Sequence, residues 1–235
     1  MNPATTAGWA LRHLTDLPAH GISVAFAALA TLRQAPAVHP RRVSFSARLC
    51  VEQQTPLIPS GQYLATVNLS KGAGTPGRRP DILGVALRFH LPSSPDPCDV
   101  LFSSAGTGRW TRWVPLPATD WGGARYGTLA PYEIAGRWWW LMLTPTGPPV
   151  GHASLPDLEH SAPVSFAVHL SGESAAWQQI GRLVLRDLLT SASPVLDPVL
   201  NHPPGAVPAP AWLRTVRELA YTSSRQGRRA QPPNN

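Results

Sequence analysis

Between residues 43 and 51 every second residue is apolar: Val43, Phe45, Ala47, Leu49 and Val51 alternate with Ser44, Ser46, Arg48 and Cys50. Side chains of an extended chain point alternately to its two faces, so this run carries one apolar and one polar face and fits a half-buried strand. Six more apolar runs of strand length follow, at 63–69, 83–91, 99–102, 138–143, 164–170 and 180–185. Gly- and Pro-rich turns separate most of them, including 72–80 and 145–149. Seven strands with no long helix between them predict a closed or nearly closed antiparallel barrel. Composition agrees: 27 prolines and 19 glycines among 235 residues indicate a loop-rich, β-dominated chain, not a helical bundle. A chain of this length can bury one sizeable core, so a single domain is expected.

The flanks read differently. Helices are expected around 8–14 and 22–33, with Pro18 and Gly21 between them. The apolar run 21–32 is only about 12 residues, too short to span a bilayer, and no basic segment of the signal-peptide kind precedes it. At the other end, residues 211–226 contain no Gly or Pro, Leu213, Val216 and Ala220 recur at helical spacing, and basic residues load the end; 210–229 therefore reads as a helix. The expected organisation is an α+β domain: a helical segment at 1–35, a barrel at 36–190, a wrapping segment and helix at 191–228, and a frayed polar tail at 229–235.

A formal charge of +7 raises the question of nucleic acid, yet only 14% of residues are charged and no recognisable RNA module is present, so no nucleic-acid partner is expected. An anionic cofactor, a polyanion or simple solubility each accounts for the balance. Cys50 and Cys98 form neither a disulfide framework nor a spaced zinc site, which makes reducing cytoplasm the expected compartment. No membrane role is expected, and homo-oligomerisation is left open. The run Trp138-Trp139-Trp140 must send Trp139 to the opposite strand face from its neighbours, so at least one face packs against something large.

Within the C-terminal helix, Arg217, Tyr221, Ser224 and Arg228 are spaced by four, three and four residues and share one face. Two guanidinium groups flanking a phenol favour its ionised form, and a phenolate is a known axial ligand of haem iron. A wet surface helix carrying a buried Tyr is the plainer reading of the same residues.

The spacing R-x-x-x-Y-x-x-[ST]-x-x-x-R resembles the proximal haem motif of haem catalases. Upstream, Ile180-Gly181-Arg182-Leu183-Val184-Leu185 is similar to the family's V-G-K-L-V-L strand, and Leu196-Asp197-Pro198 and Pro204-Gly205 resemble its F-x-P and P-G landmarks. Val38-His39-Pro40-Arg41-Arg42-Val43 stands where the family has V-H-A-K-G-A, and Leu69-Ser70 followed by residues 80–89 resembles its F-S and D-P-R-G-F-A-V-K-F. The resemblance runs in one order through residues 38–228 and is weak over 105–163. It implies an antiparallel catalase-like barrel with N-terminal helices and a haem-proximal C-terminal helix. It implies haem b as cofactor, Tyr221 as iron ligand, Arg217 holding it as phenolate, Arg228 beside the haem and His39 as distal base.

The departures are specific. Pro36 stands where catalases have a propionate-contacting Arg, Asn68 replaces the Arg of R-F-S, and the distal Asn, counted from Asp99, falls on Ser103. The expected function is a haem-dependent oxidoreductase, a peroxidase reducing organic hydroperoxides or H2O2 with a small-molecule electron donor. Two alternatives remain: a non-catalytic haem carrier or sensor, and a haem-free barrel that binds an anion or a protein.

Overall fold

The computed structural model describes residues 42–147, 151–160, 164–174, 176–190, 196–198 and 200–209. The expected helices around 8–14, 22–33 and 210–229, with His39, Arg217, Tyr221, Ser224 and Arg228, lie outside the described residues, as do Pro36 and the tail.

Seven strands lie where the alternation places them: β1 (Arg42–Val51), β2 (Gly61–Lys71), β3 (Leu83–His90), β4 (Pro97–Ser104), β7 (Arg137–Thr146), β8 (Ser165–Ser171) and β9 (Gln178–Leu188). An eighth, β5 (Tyr126–Gly127), completes a closed antiparallel barrel in the order β1-β2-β3-β4-β5-β7-β8-β9 and back to β1. Two short strands stay outside the ring: β6 (Tyr132–Ile134) pairs with the start of β7, and β10 (Val207–Pro208) pairs with β6. The one helix among the described residues is α1 (Leu155–Glu159), capped by the Ser154 hydroxyl and started by Pro156. No helix of the described residues is long and apolar enough to cross a membrane.

Residues directly opposite in neighbouring strands share a face, so the register carries the β1 alternation around the ring. Val43, Phe45, Leu49 and Val51 point inward with Leu69, Val67 and Tyr63 of β2, while Ser44, Ser46 and Arg48 point outward with Asn68, Thr66 and Leu64. Tyr126 and Phe166 meet edge-on across the interior at 5.8 Å, and the Tyr126 hydroxyl donates to the Trp121 carbonyl at 2.8 Å, satisfying the polar end of a fully buried ring. Where β1 meets β9, the chains pass so closely that a Cβ on Gly181 would lie 2.0 Å from the Cys50 carbonyl oxygen. Only glycine fits there.

The sequence places Pro145 in a turn, but β7 continues through it to Thr146. The strand tolerates a residue without an N–H because β5 pairs only with Met142 and Leu143, leaving β8 as the one strand paired with Pro145 among the described residues. The expected turn at 72–80 is held from below: buried Asp81 accepts from the Ala73 and Thr75 amides at 2.7 Å, and the Lys71 ammonium donates to the Gly77 and Arg79 carbonyls at 3.0 Å.

Candidate functional site

The outward faces of barrel strands normally meet solvent, yet part of this one is buried. Across β1 to β4 the outward residues fall into three rows: Arg42, Ser70, Gly84 and Ser103; Ser44, Asn68, Ala86 and Leu101; Ser46, Thr66, Arg88 and Asp99. Ser44, Asn68, Asp99 and Ser103 are all at least nine-tenths buried. Gly84 and Ala86 keep the centre of this face low, and a Cβ on Gly84 would come within 2.9 Å of the Ser70 hydroxyl oxygen. The result is a shallow shelf of small residues rimmed by hydroxyl and amide groups. Ser103 stands at its edge on β4, and the buried Asn68 Oδ1 has no hydrogen-bond partner among the described residues. A buried carbonyl without a donor is costly, and among the described residues Asn68 is an open acceptor on this face.

Asp99, four residues before Ser103 on the same outward face, ties the C-terminal segment to the barrel. Its carboxylate receives Arg88 Nε at 2.6 Å and Nη2 at 2.5 Å, the Asp197 amide at 2.7 Å and Asn201 Nδ2 at 2.8 Å, while its own amide donates to the Asn201 carbonyl at 2.6 Å. This is a bidentate, charge-assisted pair with two further donors on the carboxylate's Oδ2. Bonding to Asp99 holds the Arg88 guanidinium above its ordinary pKa, and burial pushes the neighbouring Cys98 thiol up to about 11, with the Asp99 charge adding to the effect. Beyond this anchor the chain turns at Pro204-Gly205, where Gly205 has φ +74°, and β10 docks on β6. The Leu196-Asp197-Pro198 and Pro204-Gly205 landmarks thus serve as an anchor and a turn.

A second buried cation lies on the far flank. The loop between β4 and β5 folds over the outward face of β7 and β8, and Arg112, at its 3-10 turn, stacks on Trp140 with 3.5 Å from guanidinium carbon to ring centroid. Its Nη1 donates to the Ser171 hydroxyl at 3.4 Å and the Gly172 carbonyl at 3.1 Å; both acceptors are neutral. Arg112 is 3% exposed, and neither its Nε nor Trp140 Nε1 has a partner among the described residues. Burial first and the charge of Arg109 second lower its pKa to about 10, against the opposing charge of Glu173. His169, on the same outward face of β8, is also driven below its ordinary value by burial and then by Arg125. Sequence reasoning missed this cluster, although Arg109-Trp110-Thr111-Arg112-Trp113 and Arg137-Trp138-Trp139-Trp140 both interleave guanidinium with indole.

Of the residues singled out from sequence, Ser103 is described, and it lies on the shelf beside Asn68 and the Asp99 anchor. No group of three or more His, Cys, Asp or Glu side chains able to hold a metal ion occurs among the described residues. Compared with protein-family models and with curated proteins, the chain matches none.

Proposed function

We propose that this chain is a catalase-like barrel protein that binds haem b and uses it as a peroxidase. The observation that carries the reading is the meeting of Asp99 and Asp197. The first is the residue from which the family's distal Asn position is counted and the second belongs to the landmark before its proximal helix, and they are hydrogen-bonded at 2.7 Å although 98 residues apart. The shelf suits a flat group: small residues form its floor, and a buried hydroxyl and an orphaned amide carbonyl stand at its rim.

In this reading Tyr221 is the iron ligand, Arg217 keeps its phenol deprotonated, and Ser224 and Arg228 flank the cofactor. Haem bound there would supply a ferric centre able to cleave an O–O bond. His39 takes a proton from one peroxide oxygen and returns it to the other, with the Ser103 hydroxyl available as a hydrogen-bond partner for peroxide. A small-molecule donor restores the resting state. A carrier or sensor that holds haem without turnover is the second reading, favoured by the short Ser103 standing where the family has a longer amide.

The test is reconstitution of the full chain with haemin. Wild type should develop a Soret band and oxidise an artificial donor with peroxide, whereas Tyr221→Phe, which keeps the ring and removes the ligating oxygen, should lose haem or show a different ferric spectrum. An identical spectrum and affinity in Tyr221→Phe overturns the ligand assignment. A Soret band without donor oxidation selects the carrier.

A further inference from the structure

Where β1 meets β9 the ladder carries one extra residue: Phe45 is opposite Leu188 and Ala47 opposite Leu185, so Ser46 alone faces both Arg186 and Asp187. A bulge re-aims side chains and interrupts the ladder. Here the Ser46 hydroxyl fills the gap, accepting from the Asp187 amide at 3.1 Å and donating to the Asp187 carboxylate at 3.2 Å. Two residues further along β1, Arg48 points outward like Ser46 and lies opposite Leu64 of β2 and Val184 of β9. Ser46, Arg48, Leu64, Arg186 and Asp187 together line a groove of about 400 Å³ that opens to solvent. It begins at the third outward row, beyond the buried Ser44 and Asn68.

The charges around this groove do not cancel. Arg182, the preceding arginine on the same face of β9, is paired with Glu52 at 3.1 Å, and Arg88 of β3 is paired with Asp99. Arg48 and Arg186 form no ion pair among the described residues. Arg48 is held instead by one bond to Gln62 Oε1 at 3.3 Å, which leaves its other donors free. Two guanidinium groups and the Asp187 carboxylate leave the groove with a single positive charge, which suits a monoanion and not a doubly charged phosphate. Guanidinium groups take carboxylates through paired hydrogen bonds. Beside them Leu64 is 80% exposed, the most exposed large apolar residue of those described. A lone surface leucine means little, but this one shares a groove with two unpaired arginines and sets an apolar wall against a cationic one.

We propose that this groove binds a small amphiphilic carboxylate, its head group between Arg48 and Arg186 and its aliphatic chain along Leu64. The volume is in the range of small-molecule sites. The proposal is independent of haem, since none of the residues assigned to haem or peroxide lines the groove.

Saturation-transfer NMR on octanoate mixed with the full chain tests it. Wild type should bind octanoate saturably at millimolar concentrations or below, as a short ligand in an open groove allows. Octanol, with the same chain and no charge, and acetate, with the same charge and a single methyl, should each bind at least about 10-fold more weakly. Arg48→Gln/Arg186→Gln should weaken octanoate binding by at least about 10-fold, and Leu64→Ser by about 3-fold or more. Asp187→Asn removes the opposing charge and should tighten binding by about 2- to 5-fold. Arg109→Gln/Arg137→Gln, an equal change of charge at exposed positions elsewhere, should leave it within about 2-fold. Absence of binding by wild type, equal affinities in the two doubly substituted proteins, or octanol bound as tightly as octanoate overturns the proposal. Weaker binding in Asp187→Asn does so too, by placing the head group elsewhere. So does displacement of octanoate by an equal concentration of inorganic phosphate, which would make the groove a bare anion site.

Discussion

Arg88 and Arg112 both lie against the outside of the barrel, and both are largely hidden from water, but their surroundings are opposite. Arg88 is clamped by a fully buried carboxylate that also receives an amide and an asparagine from the C-terminal segment. Arg112 rests on an indole face and donates only to neutral oxygens. The first arrangement spends its charge holding two parts of the chain together. The second has no ion pair among the described residues and has exposed Arg109 beside it. A buried ion pair whose carboxylate also binds a distant segment ties the chain together, while a buried cation stacked on an indole and donating to neutral oxygens is held by packing.

The largest expected effect tests the first half of this contrast. Asp99→Ala removes the partner of Arg88 and strands the Asp197 amide and Asn201 side chain, so it should destabilise the protein by about 3–5 kcal/mol in urea denaturation. A loss below about 1 kcal/mol would show that the anchor is dispensable and remove the difference between the two arginines. Arg112→Met tests the other half: the stack on Trp140 is lost, but so is the burden of burying an unpaired charge. The expected cost is about 1–2 kcal/mol. If it equals that of Asp99→Ala, Arg112 is as much a structural fixture as Arg88.

The smallest effect concerns pH. His169 has a folded-state pKa below its unfolded value, so below about pH 6.5 the unfolded chain takes up a proton that the fold resists. Stability is complete above that pH and falls as pH drops toward the folded pKa. Stability should therefore fall between pH 7 and 5, and His169→Gln should abolish that part of the slope. An unchanged slope in the variant would assign the pH dependence to other groups.

The barrel was legible because its long strands are half-buried. Val43 to Val51 alternate through nine of the ten residues of β1, which pairs with β2 along its length and with β9 from Phe45 onward, and the same period recurs in β2, β3 and β8. β5 was not legible. Two residues, Tyr126 and Gly127, give no period to read, and they form a strand only because β4 and β7 flank them. Pro145 misled for a related reason, since one missing N–H is harmless where one neighbour is absent. Ser103 was reached by counting from Asp99, but its setting beside Asn68 and the small floor of β3 depends on cross-strand register, which no single run carries. The Arg112–Trp140 stack escaped because its members come from the β4–β5 loop and β7, with Ser171 and Gly172 from the end of β8 and after it, and proximity among them exists only once the ring has closed.

Ring closure has a further consequence for how the chain is made. β1 finds its second neighbour in β9, more than a hundred residues later, with Phe45 opposite Leu188 and Val51 opposite Gly181. A ribosome adding 5–20 residues per second leaves that edge unpaired for on the order of ten seconds. An open strand edge is a template for joining other chains. In the finished barrel Arg42, Ser44, Ser46 and Arg48 face away from the interior; on the nascent chain, the two charges among them are in place to discourage stray partners until β9 arrives.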